Sequence, residues 1–451
     1  MNNKKLNRIV ARLIDNLIFV KILALFKRKS NKYDKNVPLS DSIEKILVIK
    51  LEGMGDAVYL TEIINRLKTK YSKIKIDILT TAKVPVFRIF ASSLNSEEKL
   101  NTEGLNRVNV IFINPLNLSD YIKTIKSINK NNYDVIIDTT GMPVNIPLML
   151  AFAKTSKTYI IGFNTLKIKK SIYDRLEDLN ADIHIFDNYL KLFKIFNLPP
   201  VKEFTLKPVE LENKNKNKNK NENKNETAVN QKGNQKNIIL VLSSNSGGLM
   251  HRKLPLAGSV KLIKLLRNEF NGCNISLLGG PDDYACLEEI KNAAEVDCDY
   301  YCDNSDYDNN SNDTADNISN IGGRCNRHDK LRDNNQQNYR IKKEGITIEK
   351  TKNIEEAMVL LKNSALNICI DSGLMHLSSL VNTNTYCLFG YSNPANSLPF
   401  NNIGYFRSHS DCAPCSFYKI SDCRYNLKCM DLIDIDAVIN DIKRNSSGIN
   451  I

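Results

Sequence analysis

The stretch Asn367-Ile-Cys-Ile-Asp371-Ser372-Gly373-Leu374-Met375-His376-Leu377 constrains the fold most, because a buried-looking strand stops there at an acidic, hydroxyl and glycine corner. A helical pattern follows at once, carried by Leu374, Leu377, Leu380 and Val381. A strand that passes into a helix through Ser-Gly turns free backbone N–H groups and a positive dipole end toward whatever lies above the sheet. A diphosphate suits that mouth, with Asp371 as acceptor and His376 as donor. The plainer reading is that Asp371 or Ser372 caps the helix and His376 is a satisfied core imidazole.

A second corner lies near the start of the chain, in Lys45-Ile-Leu-Val-Ile-Lys50-Leu-Glu-Gly53-Met54-Gly55-Asp56-Ala57-Val58. Ile46 to Ile49 read as a short strand, and Gly53 and Gly55 permit a tight turn and close backbone approach. A helix begins near Asp56 with Val58, Ile63, Ile64 and Leu67 on one face. This is not the six-residue dinucleotide fingerprint, since no third glycine or distal acidic partner stands at the expected spacing. Asp56 is either a helix cap or a carboxylate at the carboxyl edge of a parallel sheet, where α/β folds place ligand chemistry.

Further apolar strands fall near Ile76, Val108 and Val135 in the first half and near Ile238, Ile275, Ile368 and Thr385 in the second. Alternating with helical patterns, they indicate α/β layers with parallel sheets. A chain of 451 residues, 42% of them hydrophobic, fills two sizeable cores, which predicts two domains.

These motifs together resemble those of glycosyltransferase family 9, the ADP-heptose:lipopolysaccharide heptosyltransferase family. Gly53-Met-Gly-Asp56 is similar to that family's opening, as is Tyr133-Asp-Val-Ile-Ile-Asp138-Thr-Thr-Gly141 followed by an apolar helix and Ile161-Gly-Phe163. In the second half Arg252-Lys-Leu-Pro255 resembles the family's Lys-x-Trp-Pro element, and Leu277-Leu-Gly-Gly-Pro281, Asp371-Ser-Gly-Leu-Met-His376 and Leu388-Phe-Gly390 follow in order. The resemblance runs over residues 45–442, broken by two insertions. It departs at Leu254, in place of the aromatic, and at Arg252, in place of lysine.

The resemblance implies a GT-B architecture: two Rossmann-like domains with parallel sheets facing a central cleft. It also implies inverting transfer of a heptose, usually from ADP-heptose, to a hydroxyl of a lipopolysaccharide core sugar. By that carry-over Asp56 is the general base and Arg252 meets the phosphates, where an arginine pairs in two prongs and so alters geometry while keeping charge. Backbone groups at Ser372 and Gly373 would hold the same phosphates, with Asp371 and His376 fixing donor orientation. The flexible loop Ser246, Gly247 and Gly248 is expected to approach the diphosphate, as are Gly53 and Gly55. Beyond Gly279 and Gly280, Asp282 or Asp283 is expected to accept from ribose hydroxyls. No divalent cation is expected for catalysis, because these groups carry the phosphate charge and no Asp-x-Asp motif stands at a strand end. The alternatives are a same-fold transferase with another nucleotide-sugar donor, or a catalytically inactive nucleotide-sugar binding protein.

The domain plan that follows has a basic amphipathic helix at 1–36, an acceptor-side domain at 37–205, a linker at 206–236 and a donor-binding domain at 237–451. Residues 212–236 are almost wholly Asn, Lys and Glu, and 303–342 are rich in Asn and Asp, a disordered insertion by composition. In the Lys/Asn run the lysines are diluted by Glu and Asn and aromatic stacking residues are absent, so no nucleic-acid partner is expected. The net charge of +13 is concentrated in 1–36, where ten Lys/Arg face two Asp. Its apolar run from Leu17 to Phe26 is too short to span a bilayer, and a helix on an anionic membrane surface fits better than one packed on the first domain. The expected location is cytoplasmic, peripheral on the inner face of the inner membrane, near a lipid-linked saccharide acceptor. Eleven cysteines do not suggest a disulfide framework in such a setting. Four of them, Cys412, Cys415, Cys423 and Cys429, crowd into the stretch 409–430 and read either as a structural zinc site or as free thiols.

Overall fold

Twelve strands assemble into two parallel sheets, one from each half of the chain. The first contains β1 (Lys45–Ile49), β2 (Lys75–Thr80), β3 (Val108–Phe112), β4 (Val135–Asp138), β5 (Tyr159–Phe163) and β6 (Arg175–Glu177) in the order β3-β2-β1-β4-β5-β6. The second contains β7 (Asn237–Val241), β8 (Asn274–Leu278), β9 (Ile346–Glu349), β10 (Leu366–Ile370), β11 (Thr385–Phe389) and β12 (Gly404–Arg407) in the order β12-β11-β10-β7-β8-β9. Numbered within its own half, each sheet runs 3-2-1-4-5-6, the doubly wound order, with its switch point between the first and fourth strands. Those points lie between β1 and β4, where Ile49 pairs with Asp138, and between β7 and β10, where Val241 pairs with Cys369. The computed structural model describes residues 42–96, 108–114, 117–140, 145–152, 158–165, 169–200, 202–205, 237–244, 252–270, 272–295, 345–415, 423, 425 and 428–446. The expected N-terminal helix at 1–36, the linker at 206–236, the insertion at 303–342 and the Ser246-Gly247-Gly248 loop lie outside those residues.

The central strands β1, β4, β5, β10 and β11 are buried along nearly their whole length, as strands covered by helices on both faces must be. Continuous apolar runs such as Ile46-Leu-Val-Ile49 and Thr385-Tyr-Cys-Leu-Phe389 follow from that covering. The Met54–Lys70 helix goes further than its expected single apolar face. Gly55, Ala57, Val58, Tyr59, Leu60, Thr61, Glu62, Ile63 and Ile64 are all buried along it. One side packs on the first sheet and the other meets the Gly373–Val381 helix of the second lobe. Met358 and Leu377 of the second lobe therefore belong to the same apolar core as Ile63, Phe87 and Phe186 of the first. A shared core of this kind couples the lobes more firmly than a polar domain contact would. The polar groups caught at its margins are paired. Glu62 and Arg66 meet at 2.8 Å, and Lys169 and Asp138, both fully buried, at 3.2 Å.

Among the described residues, no helix is long and apolar enough to cross a membrane. Leu254 is buried against Gly258 in the core of the second lobe, filling as an aliphatic residue the place where the resemblance has an aromatic.

Candidate active site

Both switch points open toward each other, and the site is built from what their corners hold. After β1 the chain passes through Gly53 in the left-handed region (φ 78°) and enters the Met54–Lys70 helix. Glycine is needed there twice over. The dihedral disfavours a side chain, and a Cβ would lie 2.8 Å from Asp56 Oδ2 and 3.3 Å from Lys50 Nζ. Asp56 does not cap this helix, since Gly53 holds the cap position and no side chain caps it. It sits in the first turn, its side chain 42% exposed, with Oδ2 3.2 Å from the ammonium of Lys50. That ammonium is buried and donates to the Tyr189 hydroxyl at 2.6 Å. Burial works against its charge, yet Tyr189 and Asp56 outweigh the penalty and hold Lys50 above the ordinary lysine range. Among the described residues Lys50 is the only hydrogen-bond or ion-pair partner of the Asp56 side chain.

After β10 the corresponding corner is Asp371-Ser372-Gly373. Ser372 is the helix cap, its hydroxyl accepting from Met375 N at 3.3 Å, as the plainer reading of this corner expected. The N–H groups of Gly373 and Leu374 remain at the helix start. His376 is buried, with Nδ1 2.9 Å from the Tyr59 hydroxyl of the first lobe and Nε2 3.9 Å from Asp371 Oδ1. Burial pushes its pKa down, Asp371 and Asp56 pull the other way, and Arg252 adds to the depression. The two corners touch through their glycines. A Cβ on Gly55 would fall 2.2 Å from His376 Cδ2, and one on Gly373 would fall 2.3 Å from Met54 Cε.

Arg252 closes the third side. Its backbone extends β7: Ser244 N donates to Arg252 O at 2.9 Å, and Ser243 pairs with Lys253 in an isolated antiparallel bridge. Its Nε donates to the Tyr391 hydroxyl at 2.5 Å. Burial opposes its charge, while Asp371, Tyr391 and Asp56 favour it, so the guanidinium sits within electrostatic reach of carboxylates from both lobes. The structure thus brings Asp56, Arg252, Asp371, Ser372, Gly373 and His376 together with Gly53 and Gly55.

Asp283 is a correction. The expected ribose acceptor is buried and turned inward, with Oδ1 accepting from Ser243 Oγ at 2.8 Å and Oδ2 from Gly280 N at 3.0 Å. It closes the Gly279-Gly280 turn, and Gly279 is small because a Cβ would meet Asp283 Cβ at 2.9 Å. The cysteine stretch is also different from a formed metal site. Cys412, Cys415 and Cys423 lie near enough to Cys429 to add to the effect of burial, which pushes its thiol up to about 11. Among the described residues, however, no group of three or more His, Cys, Asp or Glu side chains is placed to hold a metal ion.

Lys50, Tyr59, Tyr189 and Tyr391 were not singled out in the sequence. Lys50 stands six residues before Asp56, and the two glycines between them were the available signal that their side chains meet.

Residues 332–422, which span the Asp371 corner and Tyr391, match the family described as Glycosyltransferase family 9 (heptosyltransferase). This segment is similar to glycosyltransferase family 9. The two doubly wound sheets form a GT-B-like fold. Solved structures agree on the fold. A family 9 glycosyl transferase from Veillonella parvula DSM 2008 aligns with TM-score 0.60 at 12% identity, over 89% of this chain and 97% of that one. The E. coli ADP-heptose lps heptosyltransferase II aligns with TM-score 0.55 at 14% identity, over 89% and 98%. The E. coli heptosyltransferase WaaC with ADP aligns with TM-score 0.51 at 12% identity, over 89% and 99%. No curated protein matches the sequence.

Proposed function

We propose that this glycosyltransferase moves a heptose from ADP-heptose to a hydroxyl of a lipopolysaccharide core sugar, with inversion and without a catalytic metal. The observation that carries the reading is the placement of Arg252, fixed to the second sheet through Ser244 and Tyr391 where the charges of Asp371 and Asp56 favour its guanidinium. Two of the similar structures are described with ADP-heptose or ADP, which supports that donor.

In the displacement, the acceptor oxygen forms a bond to the anomeric carbon as the bond to the diphosphate breaks. Asp56 takes the hydroxyl proton. Lys50 holds Oδ2 in place, which leaves Oδ1 as the oxygen to receive it. General-base catalysis of this kind contributes about a hundredfold to ten-thousandfold. The charge leaving with the diphosphate meets Arg252 and the N–H groups of Gly373 and Leu374, donors already oriented before the reaction starts. Met375 N is not among them, because Ser372 occupies it. Attachment through residues 1–36 at the cytoplasmic membrane face would bring the active site to a lipid-linked acceptor.

The test is direct. Purified protein given ADP-heptose and a truncated lipopolysaccharide acceptor should release ADP and form an anomerically inverted product, read by NMR, in the presence of a chelator. ADP binding with no product across several acceptors would instead mark a binding protein. Product only with another nucleotide sugar would move the donor assignment.

A further inference from the structure

Arg252 is fixed at both ends. Its backbone is held against the strand β7 extension by Ser244 N to Arg252 O and by Leu254 N to Leu242 O, each 2.9 Å. Its side chain is held by Tyr391, which accepts from Nε at 2.5 Å and places its ring centroid 5.8 Å from the guanidinium carbon. Tyr391 is itself anchored, since its carbonyl accepts from Cys415 N at 2.7 Å. The preceding Gly390 has Met430 packed where any Cβ would go, 2.0 Å from the sulfur.

A guanidinium has two edges that can each offer a pair of donors: Nε with one Nη, or the two Nη groups. Tyr391 uses up the first. Among the described residues, neither Nη of Arg252 makes a hydrogen bond or ion pair. The charges of two carboxylates, Asp371 and Asp56, both favour the guanidinium's charged form. Resting on the functional reading above, we propose that Tyr391 is the positioning residue that presents Arg252 end-on, so that its two Nη groups grip oxygens of the donor diphosphate instead of swinging to a carboxylate. The tyrosine suits the task because burial keeps it a neutral hydroxyl, its pKa pushed up to about 12. A lysine in the same place would have no fork to orient and no use for the tether.

That difference supplies the experiment. ADP, UDP and GDP are titrated into the wild-type full chain, and the tightest is then compared with its own monophosphate in wild type, Tyr391→Phe, Arg252→Lys and the double variant. Tyr391→Phe should weaken the diphosphate about tenfold, the scale of one lost charge-assisted hydrogen bond. It should leave the monophosphate within about twofold. In the Arg252→Lys background the same change should alter diphosphate affinity by less than about twofold, and the donor KM should rise more than kcat falls. Equal losses in both backgrounds, equal losses for mono- and diphosphate, or no loss at all would overturn the assignment while leaving the function standing. A wild type that binds none of the three diphosphates would overturn the functional reading and this grip together. Thermal unfolding of each variant separates either result from misfolding.

Discussion

After β1 the chain enters its helix through Gly53, a left-handed residue with no capping side chain, and an acid follows in the first turn. After β10 it enters through Ser372, whose hydroxyl satisfies Met375 N, and the acid Asp371 stands before the helix instead of inside it. One strand order therefore serves opposite electrostatics. The first lobe offers a half-exposed carboxylate backed by a buried ammonium; the second offers a tethered guanidinium and a helix start. Moving one acid across one helix boundary separates a group that can take a proton from a surface that can hold an anion.

The seam between the lobes is where this contrast can first be stressed. His184 of the first lobe has Nε2 2.9 Å from the Leu398 carbonyl of the second, while its Nδ1 accepts from Phe186 N. Burial lowers its pKa to about 4, so the native state keeps it neutral. Its contribution is complete above the unfolded value near 6.5 and is lost as pH falls from there toward about 4, because the unfolded chain takes up the proton first. The loss over that window is about 3 kcal/mol. Denaturant unfolding at a series of pH values should show it, and His184→Gln should flatten it. An unchanged slope would mean that the seam does not depend on this imidazole.

The next effect belongs to the first lobe alone. Lys50→Met should lower turnover about a hundredfold, roughly the strength of a hydrogen bond to a charged group, while nucleotide affinity stays within about twofold. Equal losses in turnover and nucleotide binding would erase the division of labour between the lobes. Smaller again is Gly55→Ala, whose methyl meets the buried ring of His376; about 1 to 3 kcal/mol of stability should go, measured by thermal or denaturant unfolding. Gly373→Ala faces the mobile end of Met54, which can move aside, and should cost under about 1 kcal/mol. If the two glycine variants are equally destabilised, the corners are not the asymmetric contact described above.

Period and punctuation were enough to place β1, β2, β3, β4, β7, β8, β10 and β11, because each carries an apolar cluster, continuous in β1 and interrupted by a polar residue in β2, β3 and β8. They did not reveal β6 or β12, which are short, half-buried edge strands, or β9, whose few residues follow the Asn-rich tract. The glycine corners were legible because backbone approach demands glycine locally. Asp283 was misread for the same local reason. An acid after Gly-Gly looks like a ligand group, and only the fold reveals Ser243, 40 residues away, bonded to its carboxylate. Tyr189 and Tyr391 were invisible since their partners stand 139 residues distant, and no spacing rule reaches that far.

A crossed comparison of Asp56→Asn and Arg252→Met, each assayed for single-turnover transfer from ADP-heptose and for ADP affinity, tests the division most directly. Asp56→Asn should lose turnover by roughly a thousandfold and keep ADP within about twofold, whereas Arg252→Met should lose ADP affinity by more than about tenfold. Near-normal turnover in Asp56→Asn, or the same pattern of losses in both variants, would contradict it.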